Sequence, residues 1–384
     1  MNILIINYEY PPLGGGGGIA TSIFAEELAK QGHRISIITS HFKGLKFVEN
    51  NNGIKIYRVP VLLRTQKQKA SLLSLVSWPV CSIICGLYIC TRNKFEVINS
   101  HFLLPSGITG HILSQIFKLK HIVYIHGADI YDPERIELTP SGKGGFARIL
   151  RYLGKLVSNP PAKVVCQSHD IKNRIISVYP MLESKIEVIP LPFKKPASVQ
   201  AKLQQNSDSA LKLISIGRLV RRKGYNYLLQ AISMLPKYIN VDLTIIGDGP
   251  LKNELIVMAK NLELLDRVRF KGYVSDDEKY SLLADSDVYI LSSLHEGMGI
   301  VLQEAMYVGL AIISTNQGGQ NDLLTDGENA IMIAPQDPEA LKLAIIGLYE
   351  KRDLREKFSQ NNRLKIKDFF AEKVGIQFER CITF

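Results

Sequence analysis

Two short apolar runs, Asn2 to Asn7 and Ile35 to Thr39, bracket five glycines, Gly14 to Gly18, and a helix-like segment, Ile19 to Lys30. An uninterrupted apolar run of this length suits a strand buried on both faces, as in parallel sheets covered by helices. Strand, glycine loop, helix and strand, in that order, open a doubly wound α/β domain. Runs of the same kind recur at Phe95 to Asn99, Ile122 to Ile125 and Val164 to Ser168, and again at Leu211 to Ile216, Val241 to Ile246, Val288 to Leu291 and Ala311 to Ser314.

At 384 residues the chain is long enough for two domains, each with its own core. The polar stretch Lys194 to Ser209 marks the linker. It leaves a first domain of residues 1–195 and a second of 210–365, with 366–384 expected as a final helix. Hydrophobic content of 46% with 22% charged residues excludes a disordered chain. Five cysteines without a CxxC pair indicate neither a disulfide framework nor a zinc site and fit a reducing cytosol. The N-terminus lacks a basic segment before its apolar run, so it reads as a strand and not as a signal peptide.

Charge is uneven. Residues 1–200 carry 24 Lys+Arg against 12 Asp+Glu, whereas 201–384 carry 23 against 24. A basic first half suits an anionic membrane surface, lipid headgroup or acidic glycan, and equally a merely soluble basic face. Nucleic acid is disfavoured, because no recognition motif accompanies the charge. Ser71 to Cys90 is uncharged for twenty residues. Pro79 and Gly86 interrupt the stretch and four serines dilute it, which favours a buried or membrane-surface helix over a spanning one.

A nicotinamide-type dinucleotide site requires GxGxxG tight against the first strand and an acidic residue closing the second. Here Tyr8 to Leu13 intervenes and the second strand ends Thr39-Ser40-His41, so an oxidoreductase of that kind is disfavoured.

The stretch most informative about chemistry is Ser292 to Gly309, SSLHEGMGIVLQEAMYVG. A loop containing Gly297 and Gly299 feeds a helix, whose first amides near Gly299, Ile300 and Val301 are free to hold a phosphate. Glu296 and Glu304, eight residues apart, do not stack on one helix face and suit hydrogen bonds from two different hydroxyl groups. A diphosphate between two sugars fits that pattern; two ordinary surface glutamates fit the pair alone equally well. Elsewhere, Ile122 to Ile125 leads into His126-Gly127-Ala128-Asp129, which a doubly wound sheet turns toward its ligand crevice, though His126 alone also reads as a core histidine. Gly217-Arg218 and Lys223-Gly224 follow Leu211 to Ile216; an arginine fork and a lysine point charge suit a diphosphate, and a solvated turn is the plain alternative. Asp285-Ser286-Asp287 resembles a metal-binding triplet, but it leads straight into a strand and reads as structural.

The order Glu296, Glu304-Ala305-Met306, Gly309, with HGAD, Gly217-Arg218, Lys223-Gly224 and YEYPPLGGGGG, resembles the retaining family-4 glycosyltransferases. That resemblance implies a GT-B fold, two Rossmann-like domains facing across a cleft, with a C-terminal helix crossing back to the first. The first domain would bind the acceptor and the second the nucleotide sugar. His126, Glu296, Arg218 and Lys223 would then be catalytic. Gly16, Gly17, Asp129, Gly217, Tyr273, Val274, Gly299, Ile300, Val301 and Glu304 would contact the donor, with Tyr273 and Val274 beside the base and Glu304 on the ribose. No cofactor or metal is expected. The substrates would be a UDP- or GDP-sugar and a glycan or lipid-linked glycan, in polysaccharide biosynthesis, by a cytoplasmic enzyme, free or peripheral on the cytoplasmic face of the membrane. Departures are Met298, where phenylalanine is common, and Asp322, where glutamate is usual. A GT-B sugar-nucleotide epimerase or hydrolase, and a non-enzymatic nucleotide-sugar-binding protein, are the alternatives.

Overall fold

The computed structural model describes residues 1–65, 67, 70–132, 136–158, 163–196 and 210–383. Most of the expected linker, 197–209, lies outside the described residues. The chain divides into two compact units, Met1–Lys194 with Phe370–Phe384, and Lys195–Phe369.

The first unit runs β1 (Asn2–Ile6), α1 (Gly16–Lys30), β2 (Arg34–Ser40), β3 (Val48–Asn51), β4 (Ile54–Val59), α2 (Leu72–Arg92), β5 (Val97–His101), α3 (Ser106–Phe117), β6 (Lys120–Ile125), α4 (Gly145–Ser158), β7 (Lys163–Cys166), α5 (His169–Val178) and β8 (Ile186–Val188). Its eight strands lie in the order β3-β4-β2-β1-β5-β6-β7-β8, parallel except for β3 against β4. Parallel register puts Leu4, Ile98 and His121 on one face, with Ile6, Ser100 and Val123 beside them. That face is covered by α2, α3 and α4: Trp78, Ile89 and Leu113 pack with Leu4, Ile6 and Ile98, and Val157 packs with Val123 and Ile125. On the opposite face Phe24 of α1 meets Tyr124 and Phe378.

The second unit runs β9 (Leu211–Ile216), α6 (Tyr225–Ser233), β10 (Val241–Ile246), α7 (Lys252–Asn261), β11 (Val268–Gly272), α8 (Asp276–Ala284), β12 (Val288–Leu291), α9 (Ile300–Val308), β13 (Ala311–Thr315), β14 (Ile331–Ile333), α10 (Pro338–Glu350) and α11 (Arg352–Lys365). Its six parallel strands lie in the order β11-β10-β9-β12-β13-β14. The order reverses between β9 and β12, as it does between β1 and β5 in the first unit. At such a switch point the loops leaving adjacent strands diverge and open a crevice at the strands' C-terminal ends.

Three expectations are corrected. The first helix starts at Gly16 and not Ile19, so Gly16 to Gly18 form its first turn instead of a loop. Pro79 and Gly86 do not interrupt α2, which continues through both. Proline in a helix interior frees one carbonyl, but packing on α3 and the sheet holds this helix together. The expected single final helix is broken: α11 ends at Lys365, a 3-10 turn covers Ile366–Phe369, and α12 (Ala371–Thr383) follows. Helix α12 belongs to the first unit, where Phe378 packs on Phe24 with ring centroids 4.3 Å apart and the Ala371 N–H donates to the Phe193 carbonyl at 2.8 Å.

Candidate active site

In the second unit the site grows from the loops leaving β9 and β12, which the strand order makes neighbours. Leu294 N–H donates to the Arg222 carbonyl at 2.7 Å, and the Ser292 hydroxyl to the Lys223 carbonyl at 2.9 Å. Gly224 makes the close approach possible. Its φ of +64° is left-handed, and a Cβ there would run into the Ser292 carbonyl. The loop after β13 joins through Gly319 N–H, which donates to the Glu296 carbonyl at 2.8 Å.

These bonds bring Lys223 and Glu296 together. The Lys223 ammonium donates to Glu296 Oε1, Ser293 Oγ donates to the same oxygen at 2.8 Å, and Arg222 Nη1 lies 3.7 Å from Oε2. Burial pushes the Glu296 carboxyl up, but the charges of Lys223 and Arg222, with the hydrogen bonds from Lys223 and Ser293, hold it below the ordinary glutamate value. It is therefore an anion at neutral pH. Gly217 lies against the Lys223 stem, where a Cβ would come 3.3 Å from its Cε. Arg218 is exposed in the same loop, and among the described residues its guanidinium takes no ion-pair partner. Arg222, which the charge run disguises as a solvated turn, is the residue that sequence reasoning missed here.

Helix α9 begins beside Glu296. Its N-cap Gly299 has a φ of +94° and no side-chain cap, so Ile300 and Val301 open the helix without one. One turn in, Glu304 accepts from Lys279 Nζ at 2.7 Å. Burial raises its carboxyl despite the opposing Lys279 charge and hydrogen bond. Both carboxylates expected to await hydroxyl groups thus already hold an ammonium, which offsets their repulsion of a phosphate. Tyr273, 88% exposed, and half-buried Val274 follow β11 and lead into α8, which supplies Lys279. Asp285 pairs with Lys212 Nζ at 2.7 Å, and Asp287 Oδ2 accepts the Lys212 N–H at 3.1 Å, which explains the triplet structurally.

In the first unit the corresponding loops leave β1, β5 and β6. Gly17 sits where a Cβ would come 2.5 Å from Phe102 Cζ and 3.4 Å from the His126 ring, so helix α1 approaches His126 only because this residue has no side chain. Gly16 precedes it in the same turn. His126 is buried, and its Nε2 lies 2.9 Å from His101 Nδ1. Burial holds the His126 imidazole neutral, down to about 3, and holds His101 well below its usual range with help from His126. Asp129 Oδ2 accepts the Leu103 N–H at 2.7 Å; burial raises its carboxyl to about 6 against backbone hydrogen bonds. Asp129 thus anchors the β5 and β6 loops to one another. Glu9, also missed from sequence, accepts the Gly15 N–H at 3.2 Å, and burial raises its carboxyl beside Arg64.

The sequence matches two family models, Glycosyltransferase Family 4 over residues 14–193 and Glycosyl transferases group 1 over 200–365. A lipopolysaccharide core biosynthesis glycosyltransferase, LpsE, of Rhizobium meliloti is 30% identical over 251 residues, covering 63% of this chain and 72% of that protein. N-acetyl-alpha-D-glucosaminyl L-malate synthase of Bacillus anthracis is 26% identical over 96% of this chain and 94% of its own. The structure of Anabaena HepE in complex with UDP superposes with a TM-score of 0.76 at 19% identity, covering 99% of each chain. Two parallel-sheet Rossmann-like units of this kind define a GT-B glycosyltransferase fold. The chain belongs to the group 1, family-4 glycosyltransferases.

Proposed function

We propose that this glycosyltransferase moves a sugar, with retention of anomeric configuration and without a metal, from a UDP- or GDP-sugar to a hydroxyl of a glycan or lipid-linked glycan. The observation that carries the reading is the anionic Glu296 held by Lys223, Arg222 and Ser293 beside the uncapped start of α9. The place offers fixed positive charge to a diphosphate and a fixed acceptor to sugar hydroxyls. The bound UDP in the HepE structure supports a nucleotide donor.

In this reading the glycosidic bond to the diphosphate breaks through an oxocarbenium-like state while negative charge builds on the departing phosphate. Lys223, Arg218 and the Ile300 and Val301 amides stabilise that charge more than they stabilise the ground state. Glu296 orients the transferred sugar and Glu304 the ribose diol. The acceptor hydroxyl attacks on the face the diphosphate leaves, and its proton passes to the departing phosphate oxygen. His126, neutral at working pH, holds a sugar hydroxyl by hydrogen bonding and not by charge. Asp129 and Gly17 keep its loop and ring in place.

The test is proton NMR of a nucleotide sugar incubated with the protein and EDTA. The first free or transferred sugar is expected in the donor's anomeric form. The opposite anomer would exclude retention, and an epimerised sugar appearing without acceptor would favour the epimerase.

A further inference from the structure

The face of the first unit's sheet covered by α2, α3 and α4 ends in an apolar surface that faces solvent. Helix α2 buries Trp78, hydrogen-bonds Ser82 to Thr109 of α3 at 2.7 Å, and sets Gly86 against Leu113. Its other side exposes Leu73, Val76, Val80, Ile84 and Tyr88, each more than half accessible. At about 1.5 Å per residue this stripe is about 22 Å long. The helix is long and apolar enough to cross a membrane, yet 33% of that span is buried, all along the opposite side. Its packed side therefore ties it to the fold while its free side lies open.

Helix α4 repeats the pattern beyond α3. It buries Ala147, Gly154 and Val157 and exposes Phe146, Ile149, Tyr152 and Leu156. At 100° per residue these four fall in one sector, and Arg148, Arg151 and Lys155 fall between that sector and the buried one. Arg148 and Lys155 are exposed, whereas the Arg151 guanidinium donates to the Pro140 and Gly142 carbonyls. Between the two helices α3 exposes Ile116. None of the three helices contains Asp or Glu, and α2 ends on Arg92 with Lys94 just beyond. The three helices share one layer on one sheet face, with α3 packed against both neighbours, so their outer sides are all turned away from that face.

A water-facing helix with apolar and basic sectors side by side is the pattern of a segment that lies in a lipid interface: apolar residues enter the acyl boundary and cations meet anionic headgroups. We infer that the outer faces of α2 and α4 form a docking surface for an anionic lipid bilayer, with the helices lying in the interface and not crossing it. The inference rests on the lipid-linked acceptor reading for its purpose, though not for its geometry.

The test is co-sedimentation of the full chain with phosphatidylcholine vesicles, with and without phosphatidylglycerol. Wild type, Ile149→Ser/Tyr152→Ser, Val80→Ser/Ile84→Ser and Arg148→Glu/Lys155→Glu are compared, with circular dichroism as the check of folding. Wild type is expected to pellet with the anionic vesicles, less at high salt. Each folded double variant is expected to lose at least tenfold in vesicle affinity while hydrolysing a soluble donor at the wild-type rate. Wild type remaining in the supernatant, or folded variants binding undiminished, would overturn the surface. A concentration-dependent dimer abolished by the same variants would assign the face to a second copy of the chain and equally overturn it. Loss of donor hydrolysis in wild type, with vesicle binding intact, would instead count against the transferase reading alone.

Discussion

His101 Nδ1 and His126 Nε2 lie 2.9 Å apart in the buried interior of the first unit, and both imidazoles are neutral at working pH. Only one of the two nitrogens carries the shared proton. His101 Nε2 is buried without a hydrogen-bond partner among the described residues. An orphaned buried N–H is rarer than an orphaned acceptor, so His101 carries its proton on Nδ1 and donates it. His126 then carries its proton on Nδ1, as a hydrogen-bond donor. Two-bond nitrogen–proton correlation spectra of wild type are expected to show the Nδ1–H tautomer at His126, and His101→Phe is expected to shift it and reduce turnover about tenfold, the worth of one hydrogen bond. The Nε2–H tautomer in wild type would contradict this.

The same burial makes the first unit acid-labile. His121 and His126 have imidazoles held down to about 3 by burial, against 6.5 for an ordinary histidine. Below 6.5 the unfolded chain binds protons that the folded chain refuses, so stability present above 6.5 is lost as pH falls toward 3. Each group removes about 1.4 kcal/mol per pH unit within that window. Melting curves from pH 7 to pH 5 should show the loss, smaller in His121→Asn. A flat profile would mean that these imidazoles accept protons in the folded state.

Removing one partner of a buried pair leaves the other charge uncompensated. Lys223→Ala is expected to destabilise the second unit by about 3 kcal/mol, moderated by Arg222, which stays near Glu296. Lys223→Ala with Glu296→Gln should recover most of that stability and none of the activity. Urea denaturation of the single and double variants checks the first part, and turnover the second.

Gly17→Ala places a methyl group against Phe102 and His126. Overpacking of this kind costs about 1–3 kcal/mol and displaces the ring it strikes. Turnover is expected to fall at least tenfold while the melting shift produced by free nucleotide, whose binding the proposed function assigns to the second unit, stays at the wild-type value. Equal loss of both would place the nucleotide site in the first unit as well.

Much of the fold was legible because parallel strands buried on both faces spell themselves out; β9 and β10 begin and end where the apolar runs do. The start of α1 was hidden because glycine reads as a loop residue, and its first turn makes contacts that only a bare backbone allows. The break before α12 was hidden because Ile366 and Phe369 continue an apolar pattern through a 3-10 turn. Within the site, the residue types were visible and their partners were not. Lys223 and Glu296 are 73 positions apart, and they meet only because β9 lies beside β12, a fact of strand order that no local pattern encodes. Arg222 was lost in a charge run for the same reason, and His101 lies two residues past the apolar run Phe95 to Asn99, where nothing local marks it.

The central claim, that the crevice between the β9 and β12 loops holds a nucleoside diphosphate sugar, is tested most directly by ligand-dependent melting of wild type and Lys223→Ala. UDP, GDP and their common sugars are compared, each with and without EDTA. A ligand at 100 times its dissociation constant stabilises the folded chain by about 2.7 kcal/mol. A shift with one base class that survives EDTA and largely disappears in Lys223→Ala is expected. No shift with any of these ligands, or a shift unchanged in the variant, would contradict it.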